Sequence, residues 1–299
     1  MTSPLVIAVP GNEAMAKQLV RTLSGDTGTI EMRTFPDGET YLRILSNVAG
    51  RSVAIVCTLV RPDDKVLPLI FAATTARELG AAKVGLVAPY LSYMRQDQRF
   101  KPGEAVTSRK FAELLSNEFD WLVTVDPHLH RYRSLDAIYG IPTRVAHAAP
   151  AISVWVRENV SNAVIIGPDQ ESEQWVAEIA SEANVPFTVL DKTRRGDRDV
   201  SISIKNWGPV VGRTPVLVDD IISSGRTMLE AIRVLRERHL PAPICIAVHG
   251  VFADQADLLL AQQGVRVVTS NSIIHGSNVI DVAAPIASSV RELSDAGAK

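Results

Sequence analysis

Residues 216–227 combine acidic, hydroxyl and small side chains in an order that suits a phosphorylated ligand. An apolar run leads into Asp219 and Asp220, and the helical pattern beyond them is opened by Ser223, Ser224, Gly225, Arg226 and Thr227. Small residues let backbone N–H groups approach a phosphate, and a helix N-terminus favours an anion. Because carboxylates repel that anion, the two aspartates suit the hydroxyls of an attached sugar. The stretch predicts a sugar-phosphate site, with a capped turn bearing surface acids as the alternative.

Two further segments carry charge in patterns that suit nucleotide chemistry. Arg95 has a planar guanidinium that can pair with phosphates, and the adjacent Gln96 and Asp97 offer polar contacts to a nucleoside. Lys192 and Arg194 lie in a mixed-charge stretch. Cations in such a stretch can stabilise negative charge that develops during group transfer. Solvated polar loops are the alternative for both segments.

The elements that would position these residues alternate along the chain. The predicted strands are short, apolar and rich in β-branched residues; they cover residues 5–9, 52–59, 83–89, 121–126, 163–169, 187–192, 215–220 and 244–252. Continuous apolar runs are typical of parallel strands covered on both faces. Helical patterns lie between them, and Ser108 is placed to cap one. The alternation predicts an α/β fold, in which ligands bind beyond the carboxyl ends of the strands.

Composition excludes several classes of protein. Of 299 residues, 46% are apolar and 21% charged, so a packed core is expected. The balance of 31 Lys and Arg against 33 Asp and Glu gives no chain-wide basic surface for nucleic acid. No apolar run is long enough for a membrane helix, and the start lacks the layout of a secretion signal. Cys57 and Cys245 lie in apolar runs and are expected to be buried thiols, so a cytoplasmic protein is expected.

The chain also shows a weak internal duplication. Residues 83–128 and 163–220 both contain a strand ending in a Pro-polar pair, then a helix, then a strand ending in aspartate. This repeat predicts two similar α/β halves that meet near residue 145.

Taken together, these motifs resemble those of the ribose-phosphate pyrophosphokinase family over nearly the whole chain. The resemblance implies two similar phosphoribosyltransferase-type domains, each a mostly parallel sheet flanked by helices. Residues 1–145 would form the ATP side and residues 146–299 the ribose 5-phosphate side.

The resemblance also assigns the ATP site. Phe35-Pro36-Asp37-Gly38-Glu39 is similar to the family's adenine-binding hairpin, which reaches into the ATP site of a neighbouring subunit. It implies that ATP lies between the halves and contacts Phe35, Asp37, Glu39, Arg95, Gln96 and Asp97. It further implies a homo-oligomer with a dimer as the smallest active unit, and larger rings such as a hexamer.

Metal-binding and catalytic residues follow from the same resemblance. His128, in Val125-Asp126-Pro127-His128, matches a histidine that ligates the Mg²⁺ of MgATP, and Asp169 matches a residue at the second metal or the ribose. Lys192 and Arg194 match the catalytic cations of a mobile loop. The chain departs from the family after Asp169, where Gln170-Glu171-Ser172 replaces a Gly-Gly loop. The backbone contacts that those glycines make to pyrophosphate therefore do not transfer directly.

The sequence thus predicts transfer of the β,γ-pyrophosphoryl group of ATP to the 1-hydroxyl of ribose 5-phosphate. Asp219 and Asp220 would hold the ribose hydroxyls, with or without a magnesium, and the turn beyond them would hold the 5-phosphate. One alternative is a nucleobase phosphoribosyltransferase, which would not need the segments around Phe35 and Arg95. Another is a catalytically silent regulatory partner of such a synthetase, which the departure after Asp169 favours and the retained Lys192 and Arg194 oppose.

Overall fold

The computed structural model describes residues 3–170, 172–195, 199–204 and 207–295; the side chains of 192–195, 199–204 and 295 lie outside that description. The chain forms two compact units. Unit 1 comprises residues 1–146 and 282–299, and unit 2 comprises residues 147–281. None of the helices within the described ranges has both the length and the apolar character needed to cross a membrane.

Unit 1 is built on a six-stranded parallel sheet with the order β2-β1-β5-β6-β7-β8. Its strands are β1 (Leu5–Ala8), β2 (Asp26–Gly28), β5 (Ser52–Val56), β6 (Lys83–Ala88), β7 (Trp121–Val125) and β8 (Thr143–Ala146). The interior strands β5, β6 and β7 are almost wholly buried, which explains their continuous apolar sequences. The flanking helices are α1 (Glu13–Leu23), α2 (Asp63–Glu78), α3 (Thr107–Glu118) and α8 (Ala283–Asp295).

A separate antiparallel hairpin is formed by β3 (Ile30–Thr34) and β4 (Thr40–Ile44). Its sequence alternates in the manner of a strand with one buried face. Ile30, Met32 and Leu42 pack against the unit 1 core, whereas Arg33 is exposed. The core therefore anchors the hairpin and leaves its tip in solvent.

Unit 2 contains a seven-stranded sheet with the order β11-β10-β9-β12-β13-β14-β15, in which only the β10–β11 pair is antiparallel. The strands are β9 (Ala163–Gly167), β10 (Phe187–Arg195), β11 (Asp199–Ile204), β12 (Thr214–Ile222), β13 (Ile244–Gly250), β14 (Arg266–Ser270) and β15 (Asn278–Ile280). Its helices are α4 (Ala149–Asn159), α5 (Glu173–Ala183), α6 (Arg226–Glu237) and α7 (Ala256–Gln262). All eight predicted strands are present.

The division of the chain differs from the predicted boundary in its last segment. Residues 282–299 belong to unit 1, where α8 packs on α1, β7 and β8. Conversely, α4 directly follows β8 but belongs to unit 2, where it packs on α5 and β15. The helix that follows β15, the last strand of unit 2, therefore packs in unit 1, and the helix that follows β8, the last strand of unit 1, packs in unit 2. A single boundary near residue 145 cannot describe this exchange.

The two sheets share one topology, but the predicted pairing of the repeats was wrong. Reading both sheets in the same direction matches β2-β1-β5-β6-β7-β8 with β10-β9-β12-β13-β14-β15. The counterpart of β12 is therefore β5, which ends at Val56, and not β7, which precedes Asp126. The motif of a strand followed by a Pro-polar pair recurs at several strand ends, so it does not by itself determine the register of the duplication.

Candidate active site

Three aspartates meet at the carboxyl edge of the unit 2 sheet. β12 and β9 are parallel neighbours with Leu217 opposite Ile166, which brings Asp219 and Asp220 beside the residues that follow β9. The Asp220 backbone N–H donates to Asp219 Oδ1 at 2.9 Å. Burial, followed by the charge of Asp220 and a smaller effect of Asp169, raises the pKa of Asp219 well above its ordinary value. The carboxylates gathered at this edge suit a hydroxyl-rich or cationic ligand.

The turn beyond these acids presents a helix N-terminus. Gly225 immediately precedes α6 with φ 70° and ψ 0°, a left-handed conformation that favours glycine. The N-cap residue Gly225 makes no side-chain cap hydrogen bond, and a helix N-terminus of this kind favours an anion. A Cβ on Gly225 would lie 3.2 Å from Ala256 Cβ, a contact tighter than usual. Backbone conformation and packing both favour glycine at this position.

The remaining predicted residues of the turn surround this N-terminus. Ser223, Ser224 and Thr227 are half-buried, whereas Arg226, the first residue of α6, is exposed. The turn therefore offers hydroxyl donors beside the helix N-terminus and a cation that can reach solvent. Their role in binding a phosphate stays a prediction.

The loop after β9 is closed by its own side chains. Asp169 Oδ1 accepts from the Ser172 backbone N–H at 3.1 Å, and the Ser172 hydroxyl donates to the Asp169 carbonyl at 2.7 Å. Gln170 Nε2 donates to Asp191 Oδ1 at 3.3 Å. The departure from the family's glycine loop thus produces a turn held by Asp169 and Ser172; Glu171 lies outside the described residues.

The expected mobile loop carries a regular strand in the part that the structure describes. β10 extends to Arg195 and pairs with β11, with Lys192 opposite Ile202 and Arg194 opposite Val200. The predicted catalytic side chains of Lys192 and Arg194 lie outside the described part of the chain. Their catalytic role therefore stays a prediction.

In unit 1, the segment around Arg95 is held in place from several directions. The Tyr90 backbone N–H donates to Thr58 Oγ1 at 3.3 Å, and the Tyr93 hydroxyl donates to the Asp63 carboxylate. The hydroxyl of Ser108 donates to the Gln96 carbonyl at 3.1 Å. Ser108 therefore does not cap α3, which begins one residue earlier, because its hydroxyl bonds the preceding loop instead.

The three polar residues of this segment have different exposures. Arg95 is exposed and Gln96 is half-buried, with Gln96 Oε1 accepting from Thr107 Oγ1 at 3.1 Å. The Asp97 side chain is only 2% exposed and pairs with Arg131. The structure thus leaves Arg95 and Gln96 accessible and buries the Asp97 side chain, so the predicted contact of Asp97 with adenosine stays a prediction.

His128 follows a strained bend at the end of β7. Asp126 has φ 28°, although it precedes Pro127 and is not a glycine. Such backbone strain tends to occur at functional sites. The His128 and His130 rings are parallel, with centroids 6.2 Å apart, and His130 Nδ1 lies 3.7 Å from Asp97 Oδ2. No role is predicted for His130, yet the loop that follows β7 brings it beside His128.

The predicted adenine-binding residues occupy the hairpin tip. Phe35, Asp37 and Glu39 are exposed, and the turn closes through the Phe35 backbone N–H, which donates to the Glu39 carbonyl at 2.7 Å. Asp37 Oδ1 accepts from the Glu39 backbone N–H at 3.2 Å, so this carboxylate also shapes the turn. The Arg33 guanidinium lies 4.6 Å from the centroid of the Phe35 ring. One face of that ring is therefore covered by a cation.

The carboxylates in unit 2 suit Mg²⁺ that arrives with a phosphorylated substrate. Within the described ranges, no group of three or more His, Cys, Asp or Glu side chains is arranged to hold a metal ion. Mg²⁺ bound through substrate phosphates and water needs only one or two protein carboxylates. The repulsion among Asp219, Asp220 and Asp169 would be relieved by such a cation. The residues present therefore fit a shared metal and not a cage made of protein alone.

Two parallel α/β sheets, one carrying paired aspartates before an uncapped helix, define a phosphoribosyltransferase-type fold. Residues 5–118 match the model of the N-terminal domain of ribose phosphate pyrophosphokinase, and residues 134–285 match the phosphoribosyl transferase domain. The fold is similar to that of phosphoribosylpyrophosphate synthetase from Mycobacterium smegmatis, with a TM-score of 0.85, 24% identity and coverage of 99% of this chain and 100% of that one.

Curated relatives agree along almost the whole length. A ribose-phosphate pyrophosphokinase from Methanopyrus kandleri is 31% identical, over 97% of this chain and 99% of the relative. One from Sulfurisphaera tokodaii is 30% identical, over 95% and 99%. The chain belongs to the ribose-phosphate pyrophosphokinase family.

Proposed function

We propose that this protein transfers the β,γ-pyrophosphoryl group of ATP to the 1-hydroxyl of ribose 5-phosphate, giving 5-phosphoribosyl 1-pyrophosphate and AMP. The observation that carries this proposal is the turn between β12 and α6, where two aspartates precede an uncapped helix N-terminus. Family membership supports the same reaction, because the curated relatives are named for it.

Different residues of the chain bind the phosphate and the ribose of the sugar phosphate. The N–H groups of the helix N-terminus and the hydroxyls of Ser223, Ser224 and Thr227 bind the 5-phosphate, with Arg226 beside them. Asp219 and Asp220 accept hydrogen bonds from the ribose 2- and 3-hydroxyls. Burial and the charge of Asp220 raise the pKa of Asp219 in the free protein. Binding of hydroxyl donors favours its ionised form.

ATP is oriented by two groups of residues. Arg95 pairs with phosphate oxygens and Gln96 contacts the nucleoside, while Phe35, Asp37 and Glu39 come from the hairpin of a second subunit. The exposure of the hairpin tip supports this arrangement, since an apolar ring at 37% exposure is available to stack on a base. The proposed assembly is therefore a homo-oligomer whose smallest active unit is a dimer.

Mg²⁺ is the proposed metal, with His128 and Asp169 contributing to its binding. When bound, it would neutralise charge on the phosphate oxygens and so favour attack at phosphorus. The residues of this chain orient the two substrates so that the 1-hydroxyl oxygen faces the β-phosphorus.

In the proposed reaction, that oxygen forms a bond to the β-phosphorus, while the bond from the β-phosphorus to the oxygen of AMP breaks. AMP keeps the bridging oxygen, and the hydroxyl proton passes to solvent. Lys192 and Arg194 stabilise the negative charge that develops in this step. The two cysteines are buried free thiols, which fits the proposed cytoplasmic location.

The test is to incubate the protein with ATP, Mg²⁺ and ribose 5-phosphate. We expect AMP and a sugar product that a purine phosphoribosyltransferase consumes, each in equal amount. ATP binding without AMP formation across several divalent metals would favour the silent regulatory partner. Consumption of 5-phosphoribosyl 1-pyrophosphate with a free nucleobase would favour a phosphoribosyltransferase instead. The Asp219→Asn variant serves as the matched control, because it removes one proposed sugar contact and keeps the side-chain shape.

A further inference from the structure

Asp97 is a buried anchor and not an exposed ligand. Its side chain is 2% exposed, and its two carboxylate oxygens lie 2.9 and 3.1 Å from Arg131 Nη1. His130 Nδ1 approaches the same carboxylate at 3.7 Å. A buried carboxylate held in this way is compensated by its cationic partner. Any contribution of Asp97 to nucleotide binding must therefore pass through the residues that it holds.

The contact between Asp97 and Arg131 joins the segment that carries Arg95 to the loop that carries His128. The sequence links each of these two segments separately to ATP. The Tyr132 hydroxyl lies 3.2 Å from the Asp97 carbonyl and 3.0 Å from Ser108 Oγ, which in turn donates to the Gln96 carbonyl. Together with the Asp97–Arg131 ion pair, these bonds fix the loop after β7 against the segment that carries Arg95. The loop bearing His128 and Arg131 thus has a defined position relative to that segment.

Arg131 keeps donors available on this fixed loop. Its hydrogen bonds to the described residues use Nη1 alone, and its side chain is 38% exposed. A guanidinium has five N–H donors, so Nε and Nη2 can still donate to a ligand. The guanidinium also lies 5.4 Å from the ring centroid of Phe100, which is 60% exposed. The ion pair with Asp97 and the Phe100 ring orient the guanidinium before any ligand binds. This lowers the conformational entropy that Arg131 loses on binding.

We propose that Arg131 is a further residue that binds the phosphates of ATP, an inference that rests on the proposed function. Asp97 is a positioning residue that acts through Arg131. The polyphosphate carries several negative charges, so a guanidinium on a loop fixed against the segment that carries Arg95 adds directly to its binding. This assignment also explains why an aspartate follows Arg95-Gln96 although its carboxylate is buried.

Nucleotide binding by the full-length protein tests the proposal, with calorimetry as the measurement. Arg131→Gln should weaken ATP binding about 10- to 100-fold, the loss expected for hydrogen bonds to a charged group. Binding of adenosine, which has no phosphate, should not change. Arg133→Gln is the matched control, because Arg133 lies exposed in the same loop and the substitution removes the same charge. It should leave ATP binding close to that of the wild type.

Asp97→Asn tests the positioning role. It should weaken ATP binding and raise the KM for ATP more than it lowers kcat, and the double variant Asp97→Asn/Arg131→Gln should be no weaker than Arg131→Gln alone. Fully additive losses would refute the claim that Asp97 acts through Arg131. If Asp97→Asn does not fold, the comparison of Arg131→Gln with Arg133→Gln still decides the role of Arg131.

Three results would overturn the role of Arg131. They are an equal loss of ATP and adenosine binding in Arg131→Gln, an equal effect of Arg133→Gln, or unchanged ATP binding in Arg131→Gln. Failure of the proposed function looks different, because the wild type would then bind ATP but form no AMP with ribose 5-phosphate. The binding comparison would still decide whether Arg131 contacts the phosphates.

Discussion

Replacement of Gly225 by alanine should damage ribose 5-phosphate binding more than it damages the fold. Gly225 has φ 70°, where an L-residue with a Cβ is destabilised by about 1–2 kcal/mol. The new Cβ would also lie 3.2 Å from Ala256 Cβ, so the turn must shift by a few tenths of an ångström. Even with about 1 kcal/mol added for this overpacking, the loss stays below the usual stability of 5–15 kcal/mol, a rough range. The variant should therefore fold.

The shift of the turn should mainly weaken binding of the 5-phosphate. Backbone N–H groups at the α6 N-terminus point at the proposed 5-phosphate site, and loss of one charge-assisted hydrogen bond corresponds to about 10- to 100-fold in affinity. We expect the KM for ribose 5-phosphate to rise by that factor, while the KM for ATP changes little. Steady-state kinetics with each substrate varied in turn is the assay, and denaturant unfolding gives the stability.

Gly212→Ala provides the matched control. Gly212 has φ 73°, nearly the same backbone conformation, but a Cβ there would meet no heavy atom within 4 Å. It should therefore show the conformational destabilisation alone and keep the wild-type KM values. A Gly225→Ala enzyme with an unchanged KM for ribose 5-phosphate, or one that behaves like Gly212→Ala, would refute the phosphate assignment of this turn.

Three other predictions concern separate parts of the site. Lys192→Ala should lower kcat by roughly 10²- to 10³-fold, as expected for loss of one group that stabilises transition-state charge, and rapid-quench kinetics should place the loss in the chemical step; full turnover would remove the proposed role. Mixing inactive Phe35→Ala and Arg95→Ala proteins should restore about a quarter of the wild-type activity through random dimers with one intact site, and no recovery after subunit exchange would argue against a shared site. Because the folded pKa of Asp219 is raised, its ionisation destabilises the native state as the pH rises, so Asp219→Asn should increase the free energy of unfolding at pH 8. That gain should disappear as the pH falls towards the ordinary aspartate pKa, and a gain that is constant with pH would contradict the assigned cause.

Local sequence patterns were sufficient to predict the elements that hold the sugar-phosphate site. The apolar run before Asp219 predicted the central strand because a strand buried on both faces needs continuous apolar residues. Its observed span, Thr214–Ile222, is longer than the predicted 215–220, since the ladder with β13 continues to Gly250. Ser223, Ser224 and Gly225 before α6, with Thr227 in its first turn, likewise reveal the turn, because its chemistry is local.

Features that depend on distant contacts were not predictable in this way. An aspartate two residues after Arg95 suggests a ligand in the sequence, and only the packing of the loop after β7 shows that Asp97 is buried and paired with Arg131. The position of His130 beside His128 depends on the loop after β7, which no local pattern in the sequence describes. The place of α8 in unit 1 follows from contacts with α1 and β8, which no local pattern encodes.

The most direct measurement of the central claim follows the β-phosphorus of ATP. ATP labelled at that phosphorus is incubated with ribose 5-phosphate and Mg²⁺, and the labelled products are separated. We expect all transferred label on the pentose and unlabelled AMP as the other product. Label recovered as ADP, or label that leaves ATP equally fast without the pentose, would show that these aspartates and their turn do not direct pyrophosphoryl transfer to a bound ribose phosphate.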